Sequence, residues 1–229
     1  SIMKYAIVEG IKSEATPKMR GVCSYCGSEM VSRCGRHKTW HWAHKSRADC
    51  DPWWESEGEW HRNWKNHFPI DWQEVVHFDE VTNEKHIADV KNPFGLVIEF
   101  QNSTITPEER ESREQFYKEM IWVVNGDCGD LTEAYFHMGL SGPIDKNPLA
   151  YQISWLGRGK FLANWSEAKA NVYFDFGKDV VWRLVFYDKI KKVGAVGPLP
   201  KSAFIEDCMN GKNISISYLL EEGEIPNES

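Results

Sequence analysis

From residue 72 onward the chain alternates short apolar runs with turn-rich breaks. WQEVVHFDEV (72–81), HIADV (86–90) and LVIEFQNS (96–103) have the β-branched and aromatic content of strands. TNEK and KNPFG between them are short hairpin connections, so an antiparallel meander is expected. Ahead of the meander, WESEGEWHRNWKNHF (54–68) repeats Trp60, Trp64 and Phe68 at every fourth position, a helix that stops at Pro69. Behind it, Thr106, Pro107 and Glu109 make a capping box with proline at the first helical position. That helix runs into the apolar strand IWVVNG (121–126), giving the order helix, three strands, helix, strand. Farther on, YFHMGL, AYQISWL, ANVYFDFG and VVWRLVFYD read as strands and SAFIEDCMNG as a short helix.

The first fifty residues differ. They hold four of the six cysteines in short Gly/Ser/Lys/Arg-rich segments with little periodicity, the pattern of a small metal-stapled module. The expected organisation is α+β. A zinc-binding module over 1–52 precedes a core over 53–126, a β-rich part over 127–220 completes that core, and a frayed polar tail covers 221–229.

Two polar residues interrupt the apolar strand LVIEFQNS. Glu99 and Gln101 share one face, about 7 Å apart at a rise of about 3.3 Å per residue. A carboxylate buried without a partner costs several kcal/mol, so this one needs a counter-charge. Asp89, in HIADV, lies on the preceding strand of the same expected hairpin, where the spacing between strands is about 4.8 Å. Alone, such an aspartate is an ordinary turn-capping residue. Paired with Glu99, it can share a divalent cation, and Mg²⁺ is commonly held by one or two carboxylates plus phosphate oxygens. Gln101 can orient water or contact phosphate but does not titrate. Glu57, His61 and Lys65, at i, i+4 and i+8, form a row on the preceding helix. The row has the ordinary spacing of surface pairs; beside the strands it could face the same cleft, with Glu57 as a further ligand and Lys65 near phosphate.

Charge refines the picture. The chain carries a net −7, yet residues 1–50 have nine Lys/Arg against four Asp/Glu. A basic module on an acidic body can attract phosphate, although uneven surface charge explains the numbers as well. Six cysteines in a chain that opens with no charged-then-apolar leader favour metal or free thiols over disulfides, and a cytoplasmic setting. With no apolar run of about 18 residues, no membrane partner is expected.

Cys23-x2-Cys26 has the spacing of a metal knuckle, with His41, His44 and Cys50 following within reach. The expected ligands of a structural Zn²⁺ are Cys23, Cys26, His44 and Cys50, with His41 as substitute for Cys50 and Cys34 as the odd thiol.

The row Glu57-x3-His61-x3-Lys65, followed by HIADV, IEFQNS and a helix with Arg113 and Tyr117 before IWVVNG, resembles the CoiA-like competence nucleases of the PD-(D/E)XK superfamily. The upstream Cys/His pattern is similar to that family's N-terminal zinc segment. The resemblance implies a restriction-endonuclease-like core and a Mg²⁺- or Mn²⁺-dependent nuclease. Asp89 and Glu99 would be its metal ligands, and Gln101 would stand where most of the superfamily has lysine. It implies DNA as substrate and recombination proteins as partners. Glu74 would join the acidic cluster or pair with His86, which replaces an arginine common in relatives. Arg113 would face phosphate, with Tyr117 doing so or packing over the sheet. The alternative is a zinc-dependent nucleic-acid-binding or recombination-partner module without turnover.

Overall fold

The computed structural model describes residues 2–46, 49–127, 129, 131–146 and 149–211. The expected tail at 221–229 lies outside the described residues. The protein is mixed α+β and strand-rich, and it divides into two compact units, Ser1–Lys91 and Asn92–Ser229.

The first unit opens with six strands, β1 (Ile2–Met3), β2 (Tyr5–Val8), β3 (Ile11–Glu14), β4 (Arg20–Val22), β5 (Glu29–Arg33) and β6 (His41–His44). They form an antiparallel sheet in the order β1-β6-β5-β4-β2-β3. The N-terminal module therefore has more regular structure than its sequence pattern predicts. Its strands are two to five residues long, too short for alternation to stand out. It also has an apolar core of its own, in which Met3, Ala6, Met30 and Trp42 pack together with Ile87. Trp42 is fully buried and its indole N–H donates to the Ser13 carbonyl at 2.9 Å.

Helix α1 (Glu59–Lys65) is shorter than the expected 54–68. Gly58 caps it, so Glu57 lies outside it, and the chain tightens after Asn66 before Pro69. Trp64 and Phe68 are buried, as their spacing predicts. Then β7 (Gln73–Phe78) and β8 (Lys85–Lys91) pair antiparallel, from Gln73 opposite Val90 to Phe78 opposite Lys85. Gln73 pairs with Val90 and Val75 with Ala88, and that register sets Glu74 across from Asp89.

The second unit contains β9 (Val97–Gln101), α2 (Pro107–Tyr117), β10 (Met120–Asn125), α3 (Thr132–Gly139), β11 (Leu140–Lys146), β12 (Leu149–Ser154), β13 (Asn171–Asp175), β14 (Val180–Asp188), β15 (Val193–Pro200) and α4 (Lys201–Asn210). Its strand order is β11-β12-β15-β14-β13-β10-β9. Strand β10 runs parallel to both β9 and β13, and the remaining neighbours are antiparallel. The crossover from β9 through α2 to β10 is what a parallel pair requires. All five residues of β9 are buried, polar ones included. The Thr106 hydroxyl accepts the Glu109 N–H at 3.2 Å, with Pro107 opening α2 as its sequence predicts.

YFHMGL, expected as a strand, lies in α3 through Gly139, and its Leu140 opens β11. Its aromatic content misled because tertiary packing overrides strand propensity here. Phe136 is fully buried against Phe174, Phe176 and Trp182, with ring centroids 4.7 to 6.1 Å apart. The helix ends at Gly139, where a Cβ would lie 2.2 Å from the Ser154 carbonyl oxygen. Gly139→Ala should therefore lower stability by about 2 kcal/mol. Gly142→Ala, at a position with open space around it, should stay within about 0.5 kcal/mol in the same thermal melts.

Candidate functional site

Four side chains of the N-terminal sheet converge. The ligand atoms of Cys23, Cys26, His44 and Cys50 all lie within 4.8 Å of one another. A tight turn brings the first two together, with Gly27 at φ +71° and its N–H on the Cys23 carbonyl at 2.9 Å. The two sulfurs of Cys23 and Cys50 are 3.8 Å apart, and Cys26 Sγ is 3.3 Å from His44 Nε2. A disulfide would need about 2.05 Å. Zinc bonds of about 2.3 Å to sulfur in a tetrahedron give edges of about 3.8 Å, so this donor set fits Zn²⁺. The cluster could hold a metal such as zinc, and four protein ligands would close its coordination. The hydrogen bond from the Cys50 thiol holds Cys23 below the usual thiol range, against burial, and the same bond pushes Cys50 up. His41 is not one of the four. Its Nδ1 bonds the Thr39 carbonyl at 2.8 Å, and Cys50 takes the fourth position.

A second cluster lies deeper in the same unit. Lys65 is 1 % exposed, and its Nζ is 2.7 Å from Glu57 and 2.8 Å from Glu74. Burial disfavours the ammonium, but Glu74, Glu57 and Asp89 outweigh it and raise the pKa of Lys65 above its ordinary 10.5. Lys65 is consequently a fixed charge, not a base. Arg62 adds a 2.7 Å bond to Glu57. Glu74 also accepts the backbone N–H groups of Lys4 at 3.0 Å and Tyr5 at 3.2 Å, and it sits at φ +47° within a strand. Such backbone strain in a non-glycine residue persists only where the surroundings over-determine it.

These contacts revise the expected row. Lys65 is engaged by two carboxylates instead of being open to phosphate, and Glu57 reaches it from outside the helix. Glu74 joins this cluster and does not pair with His86. His61 is buried at 4 % exposure, its Nε2 3.9 Å from Glu55, and its Nδ1 has no hydrogen-bond partner among the described residues. Asp89 is half-buried on β8.

Glu99 and Gln101 belong to the second unit. The Arg113 guanidinium, on α2, bonds Glu99 at 3.0 Å and Glu109 at 2.5 Å. Arg113 is 4 % exposed, so the expected phosphate-facing arginine is instead an internal counter-charge for Glu99. Tyr117 is buried edge-on to Phe116, packed over the sheet. The Gln101 amide donates to the Ser103 carbonyl at 3.1 Å and lines a polar cleft of about 230 Å³ with Asn102, Asn125 and Asn164.

The N-terminal site is the part with a known counterpart. Residues 10–52 match the N-terminal domain of competence protein CoiA. No curated protein and no solved structure matches the chain. The CoiA-like segment contains all four candidate zinc ligands and ends one residue after Asp51. No helix among the described residues is long and apolar enough to cross a membrane.

Asp51 carries a link that sequence reasoning missed. Its carboxylate bonds His86 Nδ1 at 2.7 Å and the Ile87 N–H at 2.5 Å, while His86 Nε2 lies 2.9 Å from Glu84 and its ring stacks on Trp53 at 3.3 Å. The loop after Cys50 is thus fastened to the strand that carries Asp89. The only sequence hint is that Asp51 adjoins a ligand cysteine.

Metal analysis of the purified chain should find about one zinc, and Cys23→Ser should lose it. Lys65→Met, which leaves carboxylates buried without their cation, should cost about 3–5 kcal/mol in denaturant unfolding, and Lys65→Met with Glu74→Gln should recover part of that. The pKa of Lys65 is raised on folding. Its stabilisation is therefore complete below about 10.5 and lost only as pH climbs through the higher folded value. Melting temperatures across neutral pH should accordingly show no step attributable to Lys65.

Proposed function

We propose that the chain is a metal-dependent nuclease that hydrolyses phosphodiester bonds in DNA. The observation that carries this reading is the setting of Asp89. It stands across from the strained Glu74, and with Glu57 and Glu74 it raises the pKa of the buried Lys65, so three carboxylates gather around that ammonium and the Arg62 guanidinium. Carboxylates gathered this closely favour positive charge beside them. In this reading α1, β7, β8, β9, α2 and β10 follow the helix, three strands, helix, strand order of a restriction-endonuclease-like core. Mg²⁺ or Mn²⁺ held by Asp89 and Glu99 would supply a Lewis acid and an activated water. Lys65 keeps its charge and fixes Glu57 and Glu74. Gln101 orients water or phosphate through its amide, and His61 is a further member of the site on α1. The match of residues 10–52 supports a competence-related role; DNA as substrate, recombination proteins as partners and a cytoplasmic setting are part of the same proposal.

One observation favours a second reading. Glu99 already has a buried counter-ion in Arg113, which suits a nucleic-acid-binding scaffold without turnover. A cleavage panel of single-stranded, duplex and branched DNA and of RNA, with Mg²⁺, Mn²⁺ or EDTA, separates the two. The nuclease reading expects metal-dependent cutting that Asp89→Asn and Glu99→Gln each lower by about a hundredfold or more, with zinc content retained in both and the melting temperature retained in Asp89→Asn. Unimpaired cutting by both variants, or no cutting of any substrate, would sink it.

A further inference from the structure

We propose that the loop between β5 and β6, residues 34–40, is a grip for single-stranded nucleic acid, with Trp40 as its stacking platform. This rests on the reading of the chain as one that handles nucleic acid and adds where the strand is held and in what form. The sequence from Met30 to Ser46 contains Arg33, Arg36, Lys38 and Lys45 and no acidic residue, in a chain of net charge −7, and of these Lys45 is paired with Glu29 at 2.8 Å. Arg33, Arg36, His37 and Lys38 have no ion pair among the described residues. Elsewhere on the surface Arg20, Lys169 and Lys189 are each paired with a glutamate. Cations left without counter-ions on an acidic protein suit an external polyanion.

Trp40 supplies the second element. The core tryptophans Trp42, Trp64 and Trp122 are 0 to 1 % exposed, whereas Trp40 is 44 % exposed between Lys38 and His41. A solvated indole set among cations is the arrangement that stacks unpaired bases while lysine and arginine track the phosphates. Bases inside a duplex are already stacked on each other, so this feature selects single strands. The loop also opens onto a cleft of about 280 Å³ lined by His37, Lys38, His41 and Arg62, with Glu57 at the acidic cluster among its walls. Phosphates held at the basic rim would lead a strand toward the carboxylates.

The test uses the full zinc-loaded chain without Mg²⁺ or Mn²⁺, and fluorescence anisotropy of labelled oligothymidylate, oligouridylate and duplex DNA. The single strands should bind more tightly than the duplex. Trp40→Ala should weaken single-strand binding by about tenfold or more, and Trp40→Phe should restore most of it. Arg36→Gln with Lys38→Gln should flatten the dependence of log K on log salt by about 1.4, the share of two phosphate contacts to a single strand. Equal DNA and RNA binding would mean that the backbone sugar is not read. Either order of preference is a single-strand grip. Trp40→Ala binding like the parent, with an unchanged melting temperature, would overturn the proposal, as would duplex bound as tightly as single strands. So would a parent that binds anionic vesicles and no oligonucleotide. Single-strand binding that depends on Trp40 without any cleavage would remove the nuclease reading and leave the grip standing.

Discussion

One buried ammonium organises the first unit. Lys65 cannot be solvated at 1 % exposure, so it is stable only while Glu57 and Glu74 stay within salt-bridge distance. That requirement fixes three pieces of chain at once. Glu74 reaches the backbone of Lys4 and Tyr5, tying β2 to β7 across seventy residues, and Glu57 ties the approach to α1. The left-handed backbone at Glu74 is the conformational cost of aiming one carboxylate at three donors.

The second unit solves a similar problem on α2, a helix with few apolar residues. Arg113 satisfies Glu99, and Glu114 accepts the Trp122 indole N–H at 3.0 Å and backbone N–H groups of Lys169 and Ala170 at 3.1 and 3.2 Å. Polar groups of this kind hold α2 by geometry instead of by apolar area alone, since each must meet its partner or pay the desolvation penalty. The same economy bears on function. Glu99 is held in place by Arg113, and a metal bound there would have to compete with or be supported by that guanidinium.

The Cys/His cluster works alongside a core. Met30 and Trp42 give the N-terminal sheet an apolar interior, and the metal ligands stand at its edge, with Cys23 itself among the buried residues. A metal there would secure the turn at Gly27 and the chain around Cys50. Through Asp51 and His86 it would also bear on β8. A module that might be read as a detachable finger is thereby coupled to the strand holding Asp89.

Local chemistry was legible in the sequence. Two cysteines separated by two residues declare a knuckle, Thr106-Pro107 declares a helix start, and Glu99 inside an apolar strand declares a buried charge, because each depends on neighbours within a few positions. Partners were not legible. That Cys50 and not His41 completes the metal set, that Lys65 turns to Glu74 and away from phosphate, that Arg113 is spent on Glu99, and that YFHMGL coils into a helix all follow from contacts with distant chain. The strength of a buried charge pair or an aromatic cluster depends on which groups surround it once water has been excluded, and only the tertiary structure decides that.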